Sequence, residues 1–191
     1  MSDLNFGKDW ESRFGDVPPL GYLLRSRRPD QWTRFHALPE SKRSAETRTE
    51  RRIILDRAAE IAEFLFGSKK DVWLATCSLT YAGDRRAKRK RIVGVETPLP
   101  FVFSRDESCF FGDQVQVEVY ADRTIWRPGH QDALLTKIAD DRENALWFDP
   151  SSGRVFAPYD GGFDIVVENS NVVARAEEKY SAWMSDLDSK L

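Results

Sequence analysis

The segment from Thr47 to Gly67 places the strongest constraint on the fold of this chain. Apolar residues recur in it at the helical period: Ile54, Ala58, Ile61, Ala62 and Leu65. Thr47 and Glu50 have the spacing of a capping box, and Gly67 is the permissive residue that helix ends favour. The pattern therefore predicts an amphipathic helix over about 47–66 that packs one side against a core.

Strand patterns occupy much of the rest of the chain. Residues 71–78 form an apolar run typical of a buried strand. Val115, Val117 and Val119 alternate with polar residues, which indicates a half-buried strand. Strong turn signals separate three further segments, and this arrangement predicts a meander over residues 145–148, 154–157 and 163–168.

Two shorter helical patterns, at about 129–141 and about 170–185, complete the expected elements. Together the elements predict an α+β fold, with a mostly antiparallel sheet flanked by the three helices. We find no internal repeat or low-complexity linker, so we expect a single domain over residues 1–191. Prolines interrupt residues 1–30, which we interpret as an N-terminal arm, with Leu20–Leu24 as a short strand or part of that arm.

Composition excludes several classes of protein. The net charge of −2 does not imply wholesale attraction to nucleic acid or to an anionic membrane. Cys77 and Cys109 form no disulfide framework, and with only His36 and His130 beside them we expect neither a metal site nor a cofactor. We find no export signal and no apolar run of about 20 residues, so we expect a cytoplasmic protein without a membrane partner.

The first candidate site lies between Trp32 and Arg43. On a strand, Arg34 and His36 point to the same face, and the loop that enters the long helix follows. This arrangement predicts an anion site that consists of Arg34, His36, Glu40, Lys42 and Arg43. The alternative is structural, with Glu40 paired to a neighbouring cation. No nucleophile or orienting partner of His36 is identifiable, so no catalytic residue is assigned.

The second candidate is a run of six cations in seven residues. We interpret it as a surface that binds an acidic protein partner through Arg85, Arg86, Lys88, Arg89, Lys90 and Arg91. A solvated surface loop is the simpler explanation, because most runs of like charge are solvated. Nucleic acid is a less favoured partner, because no aromatic residues are interleaved for stacking on bases.

Two other segments carry weaker signals. Tyr159–Asp164 holds two glycines between aspartates, which suits either a metal loop or a hairpin turn, and the hairpin is the simpler explanation. Trp126–His130 lies at a junction between elements and ends in the second histidine. We consider it a possible cleft lining.

Two parts of the chain are similar to a family of uncharacterised small bacterial proteins. The first is the motif W-x-R-x-H-x-L-P-x-S-K-R at 32–43, with Leu55–Arg57 in the helix that follows. The second consists of Tyr159, Asp160, Asp164, Ile165, Tyr180 and Trp183. Ser44 departs from the pattern, which has a further aromatic residue there. The resemblance implies a bacterial cytosolic protein and brings no established activity.

Our leading hypothesis is a non-catalytic protein-binding module, of which an immunity or antitoxin-type protein is one form. It depends on the near-neutral charge, the ample aromatic residues, the localised basic loop at 85–91 and the lack of a catalytic set. The alternative is an enzyme or binding domain for an anionic small molecule that uses Arg34, His36, Lys42 and Arg43. The sequence carries no signal for an oligomeric state.

Overall fold

The computed structural model describes residues 5–81, 83–107 and 115–185. Its helices are α1 (Phe6–Phe14), α2 (Gly21–Arg27), α3 (Arg48–Phe66), α4 (Asp132–Ala139) and α5 (Ser170–Lys179). Its strands are β1 (Trp32–His36), β2 (Lys70–Tyr81), β3 (Arg89–Lys90), β4 (Leu99–Asp106), β5 (Val115–Trp126), β6 (Leu146–Phe148), β7 (Val155–Tyr159) and β8 (Gly162–Val166). The α+β prediction is confirmed.

The strands form one sheet in the order β1-β8-β7-β6-β2-β5-β4-β3, and every neighbouring pair is antiparallel. β2 and β5 pair over their whole length, from Lys70 opposite Trp126 to Tyr81 opposite Val115. Because β6 pairs only with Trp73–Ala75 of β2, the β2–β5 ribbon projects well beyond the shorter strands.

Helices cover both faces of this sheet. On the first face, α3, α4 and α5 pack against a core that includes Phe35, Trp147 and Phe156. On the second face, α1 and α2 pack against a separate core that includes Trp73 and Phe148. The strands therefore bury side chains on both faces of the sheet. The strand expected at Val115–Val119 is present in β5, but it is not half-buried, because Glu118 and Tyr120 on the other face are buried as well.

The N-terminal segment differs from the expected arm. Phe6, Trp10 and Phe14 are spaced by one helical turn and form the buried stripe of α1, which Asn5 caps. Of the two alternatives for Leu20–Leu24, the short strand is wrong, because these residues begin α2, whose Leu23 and Leu24 pack into the second core. Gly21 permits this close packing, since a Cβ there would lie only 2.9 Å from Cβ of Ala157 in β7.

The three predicted helices are present with small changes at their ends. α3 begins with the predicted capping box of Thr47 and Glu50. α4 is shorter than 129–141, and α5 ends at Lys179 before a 3-10 turn at Ser181–Trp183. The described part of the chain contains no helix that is both long enough and apolar enough to cross a membrane. Cys77 is buried and free, whereas Cys109 lies outside the described residues.

Candidate functional site

Arg34 lies on a strand, β1, as the predicted anion site requires, but the charge of Arg34 is already neutralised. Arg34 lies on the face opposite Phe35, and its Nε donates to Oδ1 of Asp164 at 2.7 Å. The guanidinium also lies over the ring of Tyr159, 4.6 Å from its centroid. Asp164 is directly opposite in the register of β8, so the sheet itself brings the pair together.

The other two cations of the predicted anion site are also paired with carboxylates. Lys42 Nζ lies 2.6 Å from Glu50 at the start of α3, and Arg43 Nε lies 2.5 Å from Asp160 in the turn after β7. An anion would have to compete with these carboxylates for the same donors. The structure therefore does not assemble the three cations around one open point.

Of the remaining residues of that predicted site, His36 ends β1 and Glu40 lies in the strained loop that follows. Glu40 and Ser41 both have positive φ, at 57° and 55°. His36 Nε2 lies 3.1 Å from Ser41 Oγ, a hydroxyl partner that sequence reasoning did not identify. Arg57 donates to the carbonyl oxygen of His36 at 2.9 Å and holds this end of β1 against α3.

Tyr159–Asp164 forms the hairpin turn between β7 and β8, as the simpler interpretation predicted. The turn needs its glycines, because Gly161 has φ of 105° and a Cβ on Gly162 would lie 2.6 Å from the carbonyl oxygen of Phe35. Among the described residues, no group of three or more histidine, cysteine, aspartate or glutamate side chains is arranged to hold a metal ion.

A cleft of about 320 Å³ lies on the second face of the sheet, where the hairpin, the start of α2 and the segment after α4 meet. We call it the acidic cleft. Tyr22 and Tyr159 line it, and the buried pair of Arg34 and Asp164 contributes to its wall. Three more carboxylates line it: Asp141, Glu143 and Asp160. Of the five residues of the predicted anion site, only Arg34 lines this cleft.

Asp141 and Glu143 give the cleft its charge. Asp160 and Asp164 are paired with arginines, whereas Asp141 and Glu143 have no cationic group of a described residue within 4 Å. Arg43 attracts Asp141, and Lys90 attracts Glu143, only from a longer distance. The C-terminal end of α4, which carries a partial negative charge, precedes them. The cleft consequently favours a positive charge, which is the opposite of the sign expected for this region.

The tyrosines of the cleft remain neutral at physiological pH. Burial raises the pKa of Tyr159 to about 12, and Asp164 and Asp160 add to the effect, although Arg34 and Arg43 oppose it. Burial also raises the pKa of Tyr22 to about 12. The pKa of Asp164 is raised because its burial outweighs the attraction of Arg34. Neutral phenol rings offer a cation their negative faces.

Exposed apolar side chains lie on the same face of the sheet as the cleft. Leu79 and Tyr81, on the projecting end of β2, are 54% and 66% exposed. They share a face with Cys77, which belongs to the second core. Tyr22, at the cleft itself, is 38% exposed. The acidic cleft and the apolar side chains at the projecting end of β2 therefore lie on the same side of the sheet.

The basic run is less free than its sequence suggests. Arg86 pairs with the buried Glu118 at 3.3 Å, and Lys90 Nζ donates to the carbonyl oxygen of Cys77 at 2.9 Å. Arg89 donates to the carbonyl oxygen of Pro98. The three cations of the run whose side chains are exposed and form no bond with described residues are Arg85, Lys88 and Arg91.

Sequence reasoning missed Tyr22, Asp141 and Glu143. The first lies in the segment that was expected to be an arm or strand. A signal for Asp141 exists in the sequence, since an aspartate stands just beyond a helix end where glycine is usual. Nothing in the sequence places these three residues beside Tyr159, because they come from distant segments.

The sequence model of one family matches residues 20–188. The chain belongs to this family, which is described as a domain of unknown function, DUF3885. This membership agrees with the resemblance to an uncharacterised family. No curated protein and no solved structure matches the chain.

Proposed function

We propose that this member of the DUF3885 family is a non-catalytic protein-binding module whose acidic cleft receives a basic side chain of the partner. One observation carries the proposal: Asp141 and Glu143 lie at a tyrosine-lined cleft, and neither forms an ion pair within 4 Å with a described residue, since Arg43 and Lys90 attract them only from a longer distance. A lysine or arginine side chain supplies the missing positive charge, and its aliphatic stem packs against apolar walls.

Charge and ring geometry favour such an anchor. An ammonium or guanidinium group forms charge-assisted hydrogen bonds with carboxylates and also binds to the faces of tyrosine rings. Arg34 already makes this combination inside the protein, with Asp164 on one side and Tyr159 on another. A second basic group beside Tyr22 would repeat it with the carboxylates of Asp141 and Glu143.

The surroundings of the cleft favour a protein over a free small cation. Protein interfaces combine buried aromatic anchors with a polar rim. Tyr22, Leu79 and Tyr81 provide exposed apolar surface on the side of the cleft. A protein partner would cover this surface, whereas a small cation would leave it exposed to water.

The other sequence-based hypotheses stay predictions. An acidic protein partner of the basic run would contact three side chains that bond to no described residue: Arg85, Lys88 and Arg91. An anionic small molecule bound by Arg34, His36, Lys42 and Arg43 would have to compete with the four carboxylates that pair with the three basic side chains. A protein-binding module of this kind could act by neutralising a toxin. Identification of the partner tests this hypothesis.

The cleft is tested with mimics of basic side chains. Butylguanidinium should raise the melting temperature of the protein in a saturable way, and butyrate of similar length should not. Glu143→Gln should weaken butylguanidinium binding roughly tenfold or more, since it removes a charged acceptor. Glu40→Gln, which removes an exposed carboxylate outside the cleft, is the matched control. Equal shifts with both ligands, or none, would refute the cation site.

The protein partner is tested by capture from a lysate with paired variants. Tyr81→Ser should abolish capture of a specific partner, whereas Ile125→Ser should not, because Ile125 is equally apolar and 46% exposed at the other end of β5. Triple charge reversal of Arg85, Lys88 and Arg91 to Glu should leave capture intact. If the charge-reversal variant lost capture and Tyr81→Ser kept it, the result would instead support the acidic-partner hypothesis.

A further inference from the structure

The projecting part of β2 has an edge without a described strand beside it. β6 pairs with β2 only at Trp73–Ala75, whereas β5 pairs with β2 as far as Tyr81. From Thr76 to Tyr81, β2 therefore has β5 on one side and no other described strand on the opposite side. We call this side of residues 76–81 the open edge. Such an edge presents backbone N–H and C=O groups with which another chain can pair.

The register of the sheet shows which residues of β2 face the open edge. The N–H and C=O groups of successive residues in a strand point to opposite edges. Glu107 N bonds to the carbonyl oxygen of Val115, so the odd-numbered residues of β5 bond towards β4 and the even-numbered ones bond towards β2. The partners of those even-numbered residues in β2 are themselves even-numbered. The backbone groups of Cys77, Leu79 and Tyr81 therefore point to the open edge.

Side chains bond to both ends of the open edge. Cys77 N donates to Oδ1 of Asn144 at 3.0 Å, and the carbonyl oxygen of Cys77 accepts from Nζ of Lys90 at 2.9 Å. Tyr81 N donates to Oδ2 of Asp84 at 2.9 Å. These bonds independently confirm the direction of the odd-numbered residues. Because side chains can rotate away, the backbone of an incoming strand can replace all three bonds.

Leu79 lies between these two ends, and its backbone groups are available for pairing. No described residue bonds to its N–H or C=O group, and the residue is 54% exposed. The side chains of Leu79 and Tyr81 lie on the second face of the sheet, which is also the face of the acidic cleft. An added strand would satisfy both backbone groups of Leu79 and pack a side chain against these two.

The acidic cleft begins where β6 leaves the edge of β2. Glu143 and Asn144 both line the cleft and stand just before β6, which begins at Leu146. Since Asn144 bonds to Cys77, Glu143 is close to the start of the open edge. A strand along the open edge in line with β6 would run antiparallel to β2, as β5 and β6 do. The C-terminal end of that strand would reach the acidic cleft.

We propose that the partner binds through an extended segment that pairs antiparallel with β2 at Leu79 and places a basic side chain of its C-terminal end in the acidic cleft. This inference rests on the proposed function and adds the conformation and direction of the partner segment. The residue opposite Leu79 is apolar, and the basic residue follows two positions later, opposite Cys77 and on the same face. Because Asp141 and Glu143 attract cations only from beyond 4 Å, the charge of the cleft favours a basic segment.

The probe is a short acetylated peptide of alternating threonine and valine that ends in threonine and arginine amide. Calorimetric titration of the full chain should give saturable binding of this peptide. The same residues in reverse order should bind roughly tenfold more weakly, because the guanidinium group then lies far from the cleft. Glu143→Gln should weaken binding of the first peptide and remove most of its advantage over the reversed one.

Methylation of the peptide backbone tests strand pairing directly. In the proposed register, the valine N–H groups bond to β2 and the threonine N–H groups point away from it. N-methylation of the valines should therefore abolish binding, whereas N-methylation of the threonines should preserve it. A valine-methylated peptide that binds as tightly as the parent peptide, or a parent peptide without saturable binding, would overturn the proposal.

Variants of Leu79 separate this proposal from that of the cation site. Leu79→Pro removes the outward N–H group at an edge position that proline tolerates, so it should abolish peptide binding and leave butylguanidinium binding unchanged. Leu79→Ala, which keeps the N–H group, should retain peptide binding. Absence of peptide binding together with normal butylguanidinium binding refutes the added strand alone. A dimer of the protein by itself that Leu79→Pro dissociates would place a second copy on the edge and would also overturn the proposal.

Discussion

Asp141 has a backbone conformation that costs an aspartate more than a glycine. Its φ is 55°, and it occupies the C′ position of α4, where Arg142 N bonds to Lys137 O in the pattern of a Schellman motif. A carboxylate is also unfavourable beside the negative end of a helix. A residue that is unfavourable for stability in two ways and lies at a cleft is suited to a binding role.

Asp141→Gly should therefore stabilise the protein and weaken its cation site. The expected gain is about 0.5–1 kcal/mol in the free energy of unfolding, because glycine adopts positive φ without a steric penalty. Urea denaturation measures the gain, and butylguanidinium titration measures the weakened binding. Asp141→Ala, which loses the charge but keeps the strain, should weaken binding without stabilising. A Gly variant that binds butylguanidinium normally would contradict the role of Asp141.

The pair of Arg34 and Asp164 should be costly to break from one side. Arg34→Met leaves a buried carboxylate unpaired, and we expect a loss of about 3–5 kcal/mol. The double variant Arg34→Met with Asp164→Leu should recover most of that loss, since no unpaired charge remains. Equal stability of the single and double variants in urea denaturation would contradict this account.

The pH dependence of Arg34→Met follows from the raised pKa of Asp164. A carboxyl group with a raised pKa binds its proton more tightly in the folded state, so stability falls as pH rises above the unfolded value of about 3.9. Loss of Arg34 removes the attraction that holds the pKa of Asp164 down, so burial raises this pKa further. The destabilisation by Arg34→Met should accordingly be smaller at pH 4 than at pH 7.

At the scale of elements, the start of α3 is stabilised by an ionised Glu50. Hydrogen bonds from Lys42 and from the backbone N–H groups of Glu46 and Thr47 lower its pKa from 4.5 to about 2. A carboxyl group with a lowered pKa contributes stability that is present above pH 4.5 and lost as pH falls towards 2. Glu50→Gln should flatten the dependence of stability on pH across this window. Glu63→Gln, near the other end of α3, should preserve it.

The elements differ in how visible they are in the sequence. α3 is predictable because its period and caps all lie within one segment, and the hairpin at Gly161 is predictable because few residues other than glycine permit it. The spacing of Phe6, Trp10 and Phe14 is a helical signal for α1. It is easy to overlook, because prolines follow shortly after it in the sequence. The pairing of Arg34 with Asp164 was not predictable, because β1 and β8 are neighbours only in the assembled sheet.

At the scale of the whole molecule, one sheet separates two hydrophobic cores and contributes side chains to both. If the chain is a single domain, as predicted, the two cores should unfold together. α1 lies before residue 20, where the family match begins, yet it supplies Trp10, which is 1% exposed and bonds to the carbonyl oxygen of Val17. Trp10→Ala should cost about 3–5 kcal/mol, whereas the exposed Lys8→Ala should cost little. Unfolding should remain one transition by both circular dichroism and tryptophan fluorescence. Two separate transitions would indicate that the cores are independent.

The position of β1 at the edge of the sheet also determines when the chain can finish folding. β8 is the strand neighbour of β1 in the described sheet, and the contact between Arg34 and Asp164 spans 130 residues. At a synthesis rate of about 5–20 residues per second, a ribosome makes β8 roughly ten seconds after β1. Trp32 and Phe35 lack their strand partner during this interval. The aromatic side chains of β1 are thus among the last in the nascent chain to be shielded from water. We expect a chaperone to bind them during this interval.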